Sequence, residues 1–243
     1  MSESGHPINI AHFEQMISFI LSWGAPYNPT NAAITLANLT AKLTAAKAAV
    51  DAVVVSAANL TTTINDRETE FSGIRPLVTR CFQYYESTGA AQNQIDDVRT
   101  LKRKLDGARA STKATPPPGG GNPTGPGSGS ASQQSYTQIV EHFDGIIQLF
   151  LADGGYNPHE AELKTTALQT QLATMQGANT NVINATTTVS NHRATRDTDL
   201  YADGSGLVDL AFTAKKYVRA AFGQDSSQAQ QIAGLTFSRP RTH

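Results

Sequence analysis

The chain writes one pattern twice, and this repeat constrains its fold more than any other feature. His12-Phe13, an apolar run and Tyr27-Asn28-Pro29 return about 130 residues later as His142-Phe143, a similar run and Tyr156-Asn157-Pro158. A repeat of this kind makes the repeating unit, and not the whole chain, the object to be folded. Within 243 residues it implies two domains of ordinary size. The segment between the copies, rich in Pro, Gly and Ser, has almost no side chain that could enter a core and reads as a linker. The expected layout is an N-terminal tail at 1–7, a first repeat at 8–114, a linker at 115–134, a second repeat at 135–238 and a C-terminal tail at 239–243.

Each copy opens with an amphipathic helix. Ile10, Phe13, Met16, Ile17, Ile20 and Leu21 correspond to Val140, Phe143, Ile146, Ile147, Phe150 and Leu151, and their three-and-four spacing makes a broad apolar face. The Tyr-Asn-Pro that follows reads as a helix start. Asn28 and Asn157 would be N-caps, the prolines would occupy the first helical position, the tyrosines would pack back as staples, and Glu160 would complete a capping box. The alternative reading is a ligand-binding turn.

Next comes a long helix. Leu39, Leu43, Ala46, Val50, Val53, Ala57, Leu60, Ile64, Arg67 and Phe71 alternate spacings of four and three, matched by Leu168, Leu172, Met175, Asn179, Val182, Thr186, Val189, Arg193, Arg196 and Leu200. Such a row predicts a left-handed supercoiled rod of roughly 50–60 Å at ~1.5 Å per residue. The second row is the more polar. Asn179, Thr186 and Arg193 stand where the first has Val50, Ala57 and Ile64, which suggests a face buried less completely or turned to a different neighbour. A shorter third helix follows in each copy, marked by Leu77, Val78, Cys81, Phe82 and Tyr85 and by Leu207, Val208, Ala211, Phe212 and Val218. A fourth runs from Gln92 to about Leu105 in the first copy and around Ser227–Ala233 in the second. The fold expected is all-α: two tandem helical-bundle repeats, each with one long heptad-patterned helix and about three shorter ones.

Chemistry is sparse. Glu141-His142 and His159-Glu160 are adjacent pairs that face different ways on a helix, so the converging ligands of a metal-binding bundle are missing, and His12 and His142 read as capping or surface residues. Arg67 and Arg196 read as seam residues whose stems lie over the core, with an anion clamp as the alternative. Cys81, aligned with Ala211, reads as a small buried side chain. No phosphate loop, nucleophile elbow or paired-cysteine motif occurs. No catalytic residue, metal or cofactor is expected.

A net charge of −1 argues against nucleic acid as a partner. The one strong charge run is Arg99, Lys102, Arg103, Lys104, Arg109 and Lys113. It reads as a solvated helix end, with docking to an acidic partner as the alternative. No secretory signal and no apolar stretch of membrane-spanning length is visible, and one cysteine excludes an internal disulfide, so a cytoplasmic location is expected. The Tyr-Asn-Pro turns, the Ala/Thr/Asn-rich helices and the Lys215–Gly223 stretch together resemble a group of uncharacterised bacterial proteins. That resemblance spans both repeats and implies no activity, cofactor or site residue.

The function expected is a non-enzymatic scaffold that assembles with copies of itself into a ring or filament. Its candidate interface residues are Arg99, Lys102, Arg103, Lys104, Asn179, Thr186 and Arg193. The alternative is an adaptor docking another helical protein through the basic fourth helix or the long seam. An enzyme without a recognisable motif is the third reading.

Overall fold

The computed structural model describes residues 5–108 and 134–240. Most of the expected linker, together with Arg109 and Lys113 of the basic run, lies outside the described residues. The described residues are all-α, without a strand: α1 (Gly5–Trp23), α2 (Leu36–Ser72), α3 (Ile74–Ser87), α4 (Gln92–Asp106), α5 (Tyr136–Ala152), α6 (Thr165–Tyr201), α7 (Leu207–Phe222) and α8 (Ser227–Ala233). Short 3-10 turns at Ala32–Ile34 and Ala161–Leu163 precede α2 and α6.

Local chemistry sets these bounds. Ser135 and Ser226 accept from the backbone N–H of Gln138 and Ala229 and so cap α5 and α8. The two long helices are each 37 residues, about 55 Å at ~1.5 Å per residue. Their many threonines face outward and return their hydroxyls to the carbonyl four residues back, as Thr40 does to Leu36 and Thr170 to Thr166. This satisfies the hydroxyl without burying it, and leaves the inward face to supply stability.

The chain forms two compact units, and their boundaries fall inside α2 and α6. One unit comprises 1–61 and 185–243, the other 62–184. These differ from the sequence-derived segments 8–114 and 135–238, because each core draws on both halves of the chain. In the first unit, Phe13, Met16 and Ile20 of α1, Ile34, and Leu39 and Ala46 of α2 pack with Leu200 of α6, Leu207, Val208, Ala211 and Val218 of α7, and Ile232 of α8. In the second, Phe71, Val78, Cys81, Tyr85, Val98 and Leu105 pack with Phe143, Ile146, Ile147 and Phe150 of α5, and Leu163, Leu168 and Met175. Helix periodicity specifies which face is apolar but not which helix covers it. Neither half of the sequence holds a complete core, and each Phe, Leu, Ile, Val or Met buried between the halves contributes ~1.5–3 kcal/mol.

α2 passes into α3 through Gly73 alone, whereas 202–206 separate α6 from α7. Gly206 makes that turn possible. Its N–H donates to the Ala202 carbonyl at 2.7 Å, and a Cβ there would stand 2.6 Å from the Ala202 nitrogen and 2.8 Å from its oxygen. The longer connection shifts the correspondence between α3 and α7. Tyr84 meets Tyr156 edge-on as Tyr217 meets Tyr27. Cys81 therefore answers to the buried Ala214, and the alignment with Ala211 is corrected.

Two further expectations change. Leu21 and Leu151 end the apolar run of their helices but face outward, 65% and 47% exposed. The continuous helical stretch Leu36–Ser87 contains a window long and apolar enough, by composition, to cross a membrane. The alanines and valines of α2 produce this, and the same helix places Leu39, Leu43, Ala46 and Val53 in the first unit's core.

Candidate functional site

The repeated Tyr-Asn-Pro builds a closed corner. Tyr27 donates its hydroxyl to the Ile34 carbonyl at 2.7 Å, and Tyr156 donates to Leu163 at 2.8 Å. Each bond spans the loop from the first helix to the 3-10 turn, and Pro29 and Pro158 are buried beneath it. Burial raises both phenols well above their usual range, assisted by Tyr217 beside Tyr27 and by Cys81 beside Tyr156. The hydroxyls are structural donors held in the neutral form.

The capping expectation is corrected here. Neither Asn28 nor Asn157 caps a helix. Asn31 accepts from Ala33 N–H at 3.0 Å to cap the first 3-10 turn, and Thr35 Oγ1 receives Asn38 N–H at 3.4 Å at the head of α2. Glu160 precedes the second 3-10 turn without a side-chain capping bond. Asn28 instead donates its backbone N–H to the Tyr217 hydroxyl at 3.2 Å.

The basic residues of α4 are largely engaged within their own unit. Arg99 reaches Glu86 of α3 at 2.9 Å, pairs with Asp96, and lies over the Phe82 ring at 5.6 Å. Lys102 pairs with Asp106 at 2.5 Å. Arg103 and Lys104 are half-buried in the last turn, their carbonyls met by the N–H groups of Gly107 and Ala108. Gln134, expected in the linker, caps the same end by donating to the Lys104 carbonyl at 3.0 Å, and it accepts from Arg75 at 2.6 Å.

The row of α6 is buried unevenly. Ala178, Val182, Val189 and Arg196 are buried, Asn179 is half-buried with its Oδ1 enclosed and unpaired, and Thr186 and Arg193 are exposed. At ~100° per residue, Arg193 lies about 65° from the middle of the face carried by Val189, His192 and Arg196, at its exposed edge. His192 Nδ1 donates to the Ala52 carbonyl at 3.1 Å, and Lys42 pairs with Asp199 at 3.2 Å. The two arginines matched in sequence diverge. Arg67 lies 3.9 Å above the Tyr136 ring, while Arg196, buried, bonds Asp197 at 3.0 Å.

The paired histidines also part company. His12 Nδ1 donates to the Thr236 carbonyl at 2.7 Å, part of a strap in which Asn9 exchanges bonds with the backbone of Ser238. His142 Nε2 is buried without a hydrogen-bond partner, and burial followed by the charge of Lys104 lowers its pKa. Among the described residues, no three His, Cys, Asp or Glu side chains gather as metal ligands. Cys81 is buried, and burial pushes its thiol up.

The sequence reading missed Lys215. Its Nζ is drawn into the first unit to donate to the carbonyls of Leu235 at 2.9 Å and Ala233 at 3.3 Å, at the open end of α8. Burial, and then Arg219 nearby, lowers its pKa. The available signal was its place in the inward row of α7. No protein-family model, curated protein or solved structure matches this chain.

Proposed function

We propose that the chain is a duplicated helical element serving as a non-enzymatic scaffold, which assembles with copies of itself through outward apolar positions that recur in each compact unit. The observation behind this reading is the recurrence of apolar side chains at matching outward positions. Leu21 and Leu151 follow the buried Ile20 and Phe150. Val54 and Ile183, 64% and 65% exposed, follow the buried Val53 and Val182. A single exposed apolar residue needs no explanation. Core positions recur because both halves build similar cores, but that requirement places nothing on the outward positions, where an apolar residue nonetheless appears twice. Contact positions present twice per chain support either closed or open assemblies, depending on whether the contact's rotation closes. Docking of an acidic partner through α4 is the weaker reading, since Arg99 and Lys102 are already paired.

Size-exclusion chromatography with light scattering, followed by electron microscopy, tests the reading. Wild type should grow in mass with concentration, Leu21→Glu or Leu151→Glu alone should stop growth at small closed species, and the double variant should be monomeric with unchanged circular dichroism. A strictly monomeric wild type at high concentration contradicts it.

A further inference from the structure

Along the outer side of α7 the first unit holds an open cleft of about 480 Å³, lined by Gly204, Asp209, Phe212, Thr213, Lys215, Lys216 and Arg219. We propose that this cleft binds a small organic phosphate, a phosphate monoester whose apolar or aromatic body lies against Phe212.

Charge is the first argument. Three cations converge, and only one is committed: Lys215 holds the end of α8. Lys216 and Arg219, both exposed, make no ion pair or hydrogen bond among the described residues, unlike Lys42, Lys47, Arg80, Arg99, Lys102 and Arg239. The lone acid of the lining, Asp209, is bonded by Gly204 N–H at 2.8 Å and Arg239 at 2.7 Å, which, with a smaller contribution from the charge of Lys216, hold its carboxyl below the usual range. Two cations outside any ion pair or hydrogen bond match the roughly −2 charge of a phosphate monoester near neutral pH better than the single charge of a carboxylate.

Shape is the second. The register set by Tyr84 and Tyr217 puts Lys215, Lys216 and Arg219 where α3 has Phe82, Gln83 and Glu86. In the second unit Glu86 and Phe82 are spent on Arg99 of α4. In the first unit α8 stops at Ala233, and the chain continues as an irregular strap through Leu235 and Phe237 to Arg239. Where one unit has a helix about 10 Å across, the other has a single strand of backbone, and α7 is left uncovered beside it. Phe212, 43% exposed and edge-on to Phe237 at 6.1 Å, offers the one aromatic wall. A volume near 480 Å³ is within the ~300–1,000 Å³ typical of small-molecule sites.

Isothermal titration of the full chain with phenyl phosphate, and separately with inorganic phosphate, tests this. Phenyl phosphate should bind once per chain and several-fold more tightly than inorganic phosphate. Lys216→Ala/Arg219→Ala should weaken it about tenfold or more, whereas Lys164→Ala/Arg193→Ala, an equal loss of exposed charge elsewhere, should leave it within twofold. Phe212→Ala should reduce phenyl phosphate to the affinity of inorganic phosphate. Absence of saturable binding, or equal weakening by the two double variants, overturns the proposal. All four side chains are exposed, and an unchanged melting curve shows that the variants compared are folded.

Discussion

Tyr27 and Tyr217 meet edge to face, ring centroids 5.2 Å apart and planes at 89°. One side chain closes the corner after α1, the other belongs to α7 near the far end of the chain, and Tyr217 also receives the Asn28 N–H. The contact ties the first corner of the chain to one of its last helices. Tyr84 and Tyr156 repeat it at 5.4 Å and 86°.

Tyr27→Phe removes the hydroxyl bond to Ile34 and leaves the ring, so it should cost about 1–3 kcal/mol, the carbonyl being left short of a partner in a buried corner. Tyr27→Ala should cost about 3–5 kcal/mol through lost packing. Urea denaturation gives both numbers.

Much of the secondary structure was legible and its pairing was not. The three-and-four spacing of Phe13, Met16 and Ile20 marks α1, and the row of α2 marks a helix without proline, because burial of one face is written into the order of residues. Nothing in that order states that Phe13 shares a core with Leu207 and Val208 and that Phe143 shares one with Val78 and Val98. Capping was misplaced for a related reason. Asn28, Asn31 and Thr35 all carry the side chain of a cap, and local order does not say which are used; Asn31 and Thr35 are. Arg193 was misplaced because a heptad template assumes a two-sided seam, while α6 buries a narrower face.

Arg193 is therefore the discriminating position on α6. Being exposed, Arg193→Ile should change stability by less than about 0.5 kcal/mol. Arg196→Ala, which removes a buried stem bonded to Asp197, should cost about 1–3 kcal/mol. Paired denaturation curves compare them directly.

Two glycines should respond oppositely to alanine. At Gly206 the added Cβ meets Ala202 backbone, and Gly206→Ala should destabilise by at least about 1–3 kcal/mol. Gly73 has helical dihedrals, and no atom lies within 4 Å of the place an added methyl would take, so Gly73→Ala should stabilise by about 0.4–1 kcal/mol. Thermal melts of the two variants report the signs.

His142 sets a pH dependence. Burial and Lys104 lower its folded pKa, with Glu141 opposing, so the unfolded chain binds a proton at higher pH than the folded one does. Stability is therefore full above the unfolded value of ~6.5 and falls as pH drops below it. Urea midpoints should decline from pH 8 to pH 5, and His142→Gln should flatten that decline.

The central claim is that each core is assembled from both halves of the chain. Expressing residues 1–114 and 135–243 as separate polypeptides tests it most directly, with native mass spectrometry and denaturation of each alone and of the mixture. Either fragment alone should lack a cooperative transition as a monomer, and the mixture should form a 1:1 helical complex that unfolds cooperatively. Two independently folded monomers that ignore one another would contradict the account.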